Sequence, residues 1–216
     1  MADKIVLSVG TKRGLFLLES SKRRTRWVTK GPFLKGWEVD HAMIDTRGRP
    51  RLHAAASNFT YASSTFSADI GGRKFVSSEK PPVPPKLAPK QLKMAKEWGI
   101  STKERVWVIE PGPPREKRVL YAGTAPAGLF RSEDRGKSWE PVPGINKHRT
   151  CKDWSPGAGG MSLHSLQVDP HDSKRMYVAI SAAGSFRTDD GGKSWTPINS
   201  CVAEYVGAPE ESTVGT

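Results

Sequence analysis

With 216 residues, 36% of them hydrophobic, the chain is long enough for one substantial core or two small ones. Its longest apolar runs, such as Ile5 to Leu7 and Leu15 to Leu18, fall far short of the roughly 20 residues that cross a bilayer, so no membrane helix is expected. The formal charge of +12, from 34 Lys+Arg against 22 Asp+Glu, favours an anionic partner, but only Lys22-Arg23-Arg24-Thr25-Arg26 is dense and it falls where a hairpin tip is expected; the remaining positive charge is scattered, which argues against nucleic acid.

The start of the chain, Met1-Ala2-Asp3-Lys4, runs straight into the strand-like Ile5-Val6-Leu7-Ser8-Val9, without the apolar core and small-residue cleavage site of a signal peptide. A cytoplasmic protein is the expectation. Cys151 and Cys201 offer neither a disulfide framework nor a CxxC or Cys/His spacing; both read as reduced thiols, with no metal and no cofactor expected.

A repeat organises the rest. Its first copy, at about 4–33, contains Val6-Leu7-Ser8-Val9-Gly10-Thr11 and Gly14-Leu15-Phe16, with Ser20 and Trp27 near the places of an Asp and a Trp in later copies. The second, at about 41–80, opens on Leu52-His53-Ala54-Ala55-Ala56 and keeps Ser67-Ala68-Asp69-Ile70-Gly71, with Phe75 near the Trp position. Pro81-Pro82-Val83-Pro84-Pro85 predicts extended polyproline, followed by a short helix from Lys90 to Trp98; this insertion, about 81–100, reads as a mobile excursion between repeats. The third and fourth copies, about 106–143 and 164–199, match without a gap at an offset of 56 residues, from Leu120–Trp139 to Met176–Trp195. A tail of small, polar and acidic residues, 201–216, closes the chain.

Each copy reads as short strands separated by Gly, Pro and Asp turns. In the fourth the strands are Ser165–Val168, Met176–Ile180, Ser185–Thr188 and Trp195–Asn199. Repeated four-stranded antiparallel units of this length predict an all-β chain, a β-propeller that is incomplete at about 3.5–4 blades. Such an arc would leave open sheet edges, so self-association could complete it.

The third-to-fourth strand turns carry Ser132-Glu133-Asp134-Arg135-Gly136-Lys137-Ser138-Trp139 and Thr188-Asp189-Asp190-Gly191-Gly192-Lys193-Ser194-Trp195. Asp134 and Asp190 can accept from exposed turn N–H groups, helped by Ser132 and Thr188. Gly136 and Gly192 can take the positive φ of the return path, and Trp139 and Trp195 bury a large ring beneath the turn. The motif, Ser/Thr-x-Asp-x-Gly-x-Ser/Thr-Trp, resembles the Asp box or BNR repeat of sialidases and sortilin-like receptors. With Gly36-Trp37, Val106-Trp107-Val108-Ile109-Glu110-Pro111-Gly112, Trp154-Ser155-Pro156-Gly157-Ala158-Gly159-Gly160 and His164-Ser165-Leu166, nearly the whole chain resembles the WD40/YVTN/BNR-like family. That resemblance implies a propeller on which the box is a structural staple.

If the boxes mark one rim, the second-to-third turns and the links between blades build the other, and long loops there are candidates for function. The candidate ligand-binding residues are Trp37, His41, Asn58, Tyr61, His148, Arg149, Trp154 and His164. Glu38, Asp40, Glu110 and Asp153 are candidates for the two carboxylates of glycoside hydrolysis. The arginine clamp and Tyr nucleophile implied by a sialidase have no counterpart, so sialidase chemistry does not carry over. The leading expectation is a module that binds a ligand, a carbohydrate or a protein without established catalysis; the alternatives are a glycosidase-like hydrolase and a polyanion binder.

Overall fold

The computed structural model describes residues 4–58, 63–71, 74–181 and 183–199. They form four antiparallel sheets. The first has three strands, β1 (Lys4–Thr11), β2 (Gly14–Ser21) and β3 (Trp27–Phe33). The other three have four strands each in simple meander order: β4 (Glu38–Asp45), β5 (Arg51–Ser57), β6 (Ser64–Asp69) and β7 (Val76–Ser77); β8 (Arg105–Pro111), β9 (Leu120–Ala125), β10 (Leu129–Ser132) and β11 (Glu140–Pro141); β12 (Leu163–Val168), β13 (Met176–Ile180), β14 (Gly184–Thr188) and β15 (Thr196–Pro197). Helix α1 (Pro89–Glu97) lies in the second connection, and α2 (Pro143–Asn146) with a 3-10 turn (Cys151–Asp153) in the third.

Successive sheets pack through their first strands, β4 onto β1, β8 onto β4 and β5, and β12 onto β8 and β9. This is the radial stacking of propeller blades, and one apolar cluster fills each interface. Leu15, Leu17, Val39, Leu52 and Phe66 fill the first, Val106, Ile109, Leu120, Phe130 and Trp139 the second, and Leu129, Leu163, Met176, Phe186 and Trp195 the third.

Among the described residues, the three-stranded first sheet lacks the innermost strand of a blade. Strands β4, β8 and β12 are the inner strands of their blades, and the second strand of each blade packs under the next inner strand. A Cβ at Gly123 of β9 would lie 2.4 Å from the Leu163 carbonyl oxygen, and one at Gly10 of β1 would lie 2.6 Å from the Val39 carbonyl oxygen. Strand β1 therefore holds the second-strand place, as its repeat match with Leu120–Thr124 implies. Its inner edge pairs with no described strand, and Leu7 and Val9 are 47% and 38% exposed.

The two motif hairpins are closed by their carboxylates. Asp134 accepts from the backbone N–H groups of Lys137 and Ser138, both at 2.9 Å, and from the hydroxyls of Ser132 at 2.8 Å and Ser138 at 2.6 Å. Asp190 accepts from the Thr188 hydroxyl at 2.7 Å, and from Ser194 through its N–H at 3.0 Å and its hydroxyl at 2.6 Å. Gly136 and Gly192 take φ of +84° and +93°, and Trp139 and Trp195 are buried beneath the turns. For Asp134, burial works against the charged form, but the bonds from Ser138 and Ser132 outweigh it and hold the carboxyl below its usual range. In Asp190 the Ser194 hydroxyl leads the same downward shift.

The 81–100 segment does not leave the body as an excursion. Gln91 is buried, its amide donating to the carbonyl oxygens of Trp154 at 2.9 Å and Cys151 at 3.2 Å, while Ala95 is fully buried and Leu87 packs against the core between the third and fourth blades. Once Gln91 is tied to carbonyl groups 60 and 63 residues away, freeing the segment would strand buried polar groups. Cys151 is a free thiol, and Cys201 lies outside the described residues. No helix among the described residues is long and apolar enough to cross a membrane.

Candidate functional site

The inner strands share one irregularity. Pairing skips one residue on β4 between Val39 and His41, on β8 between Val106 and Val108, and on β12 between Leu163 and Ser165. In each case a buried aliphatic residue is followed by an extra residue with no partner on the second strand. Those residues are Asp40, Trp107 and His164. A bulge breaks the in-out alternation and re-aims the extra side chain, so the fold presents three chemically different groups at equivalent places near the upper rim, opposite the motif hairpins.

Trp107 lines a cleft of about 170 Å³. Two insertions wall it: the α1 segment with Leu87, Ala95 and the Ser101–Lys103 loop, and the glycine-rich Gly157–Gly160 hairpin, whose terminal residues exchange backbone hydrogen bonds of 3.2 and 2.8 Å. Arg105 lies across the Trp107 ring, its guanidinium carbon 5.5 Å from the centroid, close enough for a cation–π contact. The same guanidinium donates to Asp40 at 2.8 Å, which also accepts from the Ser57 hydroxyl at 3.3 Å. Beside them Lys103 reaches Glu38 at 3.4 Å. Ion pairs and an indole thus alternate across the second-to-third blade junction.

Burial raises the Asp40 carboxyl above its usual range, although Arg105 pulls the other way. Burial lowers His41, whose Nδ1 accepts from the Ile109 N–H at 3.3 Å. It also raises Glu110, but Glu110 sits near the far end of β8. Five residues from Arg105 at about 3.3 Å each put it roughly 16 Å along the strand, away from the carboxylate pair at Glu38 and Asp40. Asp153 is exposed on the 3-10 turn.

The sequence-derived ligand residues divide. Of the acid candidates, Glu38 and Asp40 do not line the cleft but pair with Lys103 and Arg105, which do; of the ligand candidates, His164 is exposed on its bulge. Trp37 packs edge-on against Phe66 with ring centroids 4.8 Å apart. His148 and Trp154 both face Phe186, at 5.2 and 5.8 Å, and Trp154 is only 6% exposed, so it is part of the core between the third and fourth blades. The Trp154 Nε1 donates to Thr150 Oγ1 at 2.9 Å, which satisfies its polar edge internally. Arg149 is exposed and Asn58 half-buried; Tyr61 lies outside the described residues. Trp107 and Arg105 are the residues that sequence reasoning did not single out. Among the described residues no group of three or more His, Cys, Asp or Glu side chains is placed to hold a metal ion.

The chain is similar to enzymes of xyloglucan breakdown over much of its length. It is 26% identical over 181 residues to the oligoxyloglucan-reducing end-specific xyloglucanase of Emericella nidulans, a match covering 80% of this chain and 20% of that protein. Among solved structures, the GH74 xyloglucanase from Xanthomonas campestris superposes with a TM-score of 0.57 at 14% identity, over 89% of this chain and 27% of that one. YCF48 from Cyanidioschyzon merolae gives 0.52 at 12% identity, over 88% and 52%. No family model matches the chain. The chain spans a fifth or less of the length of the first curated relatives it matches. At these identities the structural likeness establishes the fold: the described residues are part of a β-propeller.

Proposed function

We propose that this chain is a carbohydrate-binding β-propeller module whose upper-rim cleft seats a sugar ring on Trp107. The observation that carries the proposal is the half-buried indole, re-aimed by its bulge into a shallow cleft and flanked by the Arg105–Asp40 and Lys103–Glu38 pairs. A sugar ring against the part of the indole that Arg105 does not cover, with charged hydrogen-bonding groups beside it, provides both apolar contact and orientation. The xyloglucanase relatives support a glycan as the ligand class, and the paired Asp134 and Asp190 hairpins support reading the repeats as Asp boxes. The test is calorimetric titration with xyloglucan oligosaccharides: saturable binding that Trp107→Ala weakens at least about tenfold supports the proposal, and equal affinity in the variant overturns it. Saturable binding of a peptide in place of any glycan would point to a protein partner instead.

One observation favours a second reading, hydrolysis. Asp40 holds its proton more tightly than an ordinary carboxyl and stands two residues from Glu38 on the same strand, and a carboxyl that keeps its proton is what a general acid needs. Release of reducing ends from xyloglucan oligosaccharides, abolished in Asp40→Asn, would establish it; no release above background would remove it.

A further inference from the structure

On the lower rim, the junction of the second and third blades opens a second cleft, of about 400 Å³. Its charge is strongly one-sided. Arg51, Arg118, Arg135 and Lys137 line it against a single carboxylate, Asp134, and that carboxylate is already engaged by the hairpin donors around it. Arg118, Arg135 and Lys137 make no ion pair with any described carboxylate, so three cations converge with their charge unspent.

The backbone holds these groups in place. Arg135 takes a positive φ of 64° at the tip of the motif hairpin, and its N–H donates to the Arg118 carbonyl at 2.9 Å, joining the two turns that carry the arginines. The Arg118 turn is in turn fixed by Arg47, which donates to the carbonyl oxygens of Gly112, Pro113, Glu116 and Val119 at 2.7 to 3.3 Å. Arg51 pairs with Asp69 at 3.2 Å through one nitrogen, yet its Nε is buried with no hydrogen-bond partner. That atom is closed to solvent and so to the cleft, which leaves Arg51 to contribute its charge, and the Ser67 hydroxyl lines the cleft while bonded to His53.

We propose that this lower-rim cleft is a binding site for a small tetrahedral oxyanion, a phosphate or sulfate carried as a free ion or as a sugar ester. Planar guanidinium forks suit such oxygens, and a volume of about 400 Å³ accommodates more than the bare ion. The site is separate from the Trp107 cleft and stands independently of the function proposed there. Beneath it lies buried His53, with Ser67 Oγ 2.8 Å from its Nδ1. Burial first, and then the charges of Arg51, Arg47 and Arg135, hold His53 down near a pKa of about 4, with Asp45 opposing them. An anion bound above Ser67 offsets that positive field and moves the His53 titration upward.

The test is isothermal titration of the whole chain with inorganic phosphate, inorganic sulfate and glucose 6-phosphate, alongside His53 titration by NMR. Saturable binding that weakens with salt, falls at least about tenfold in Arg118→Ala/Arg135→Ala, and raises the His53 midpoint would support the site. Tighter binding of the sugar ester than of the free ions would identify an ester as the ligand; equal binding would identify the ion itself. Should the double variant fail to fold, Lys137→Ala, at an exposed position, gives the same reading with a smaller loss. Absence of saturable binding with all three probes, or an equal loss in Arg23→Ala at the distant hairpin tip, would overturn the proposal.

Discussion

Acidification should weaken this fold through His53 before most carboxylates titrate. The ring sits on β5 with 2% of its surface exposed, and its pKa is lowered from 6.5 to about 4. As pH falls through 6.5 the unfolded chain takes up a proton that the folded chain refuses, so stability is lost between about pH 6.5 and pH 4 and levels off below. At about 1.36 kcal/mol per pKa unit, a difference of about 2.5 units, from 6.5 minus 4, corresponds to roughly 3 kcal/mol in full. Of this, about 2 to 3 kcal/mol is lost between pH 7 and about pH 4.5 by linkage. The assay is urea unfolding of the native chain and of His53→Gln across that window. His41, also lowered by burial, is present in both proteins and cancels in the difference. The native chain should lose about 2 to 3 kcal/mol more than the variant on acidification; parallel profiles would refute the reasoning.

Three further substitutions probe the frame around the two clefts. Arg47→Ala leaves the buried Asp45 carboxylate, now 2.9 Å from the guanidinium, without its partner and should cost about 3–5 kcal/mol in urea unfolding; Arg47→Lys should recover only part, since a single ammonium cannot reproduce the fork. Gly123→Ala drives a Cβ to 2.4 Å from the Leu163 carbonyl oxygen and should lower stability by about 1–3 kcal/mol, with the largest amide NMR shifts at the His164 bulge. Asp134→Ala strands donors on Lys137, Ser138 and the buried Ser132 and should cost about 2 kcal/mol, read as a melting point about 4–8 °C lower.

The propeller was legible because its signals are local. Asp134, Gly136 and Trp139 close a hairpin within eight residues, so turn chemistry, positive φ and ring burial all mark the sequence directly, and the copy at 188–195 repeats them. The second-strand place of β1 was implicit in the match of Val6–Thr11 to Leu120–Thr124, but only the packing of Gly10 under Val39 makes it a structural fact. The cleft was less legible. Arg105 acquires its role from Asp40, 65 residues away, and nothing near Arg105 in the chain announces that partner. Trp107 could have been found by aligning Val39-Asp40, Val106-Trp107 and Leu163-His164 as equivalent strand starts, where a changing residue follows a fixed aliphatic one. Trp154 misled in the opposite direction: in a Gly- and Pro-rich link an aromatic residue looks available to a ligand, whereas Thr150, Gln91 and Phe186 hold it in the core. The fit of that link to α1 depends on contacts made across 60 and 63 residues, which no local pattern records.

The most direct test of the central claim is a crystal structure of the chain soaked with a xyloglucan heptasaccharide. The account predicts a sugar ring stacked on the Trp107 indole with its hydroxyls against Arg105 and Lys103. A saccharide bound at the lower rim, or ordered elsewhere while the Trp107 cleft stays empty, would contradict it.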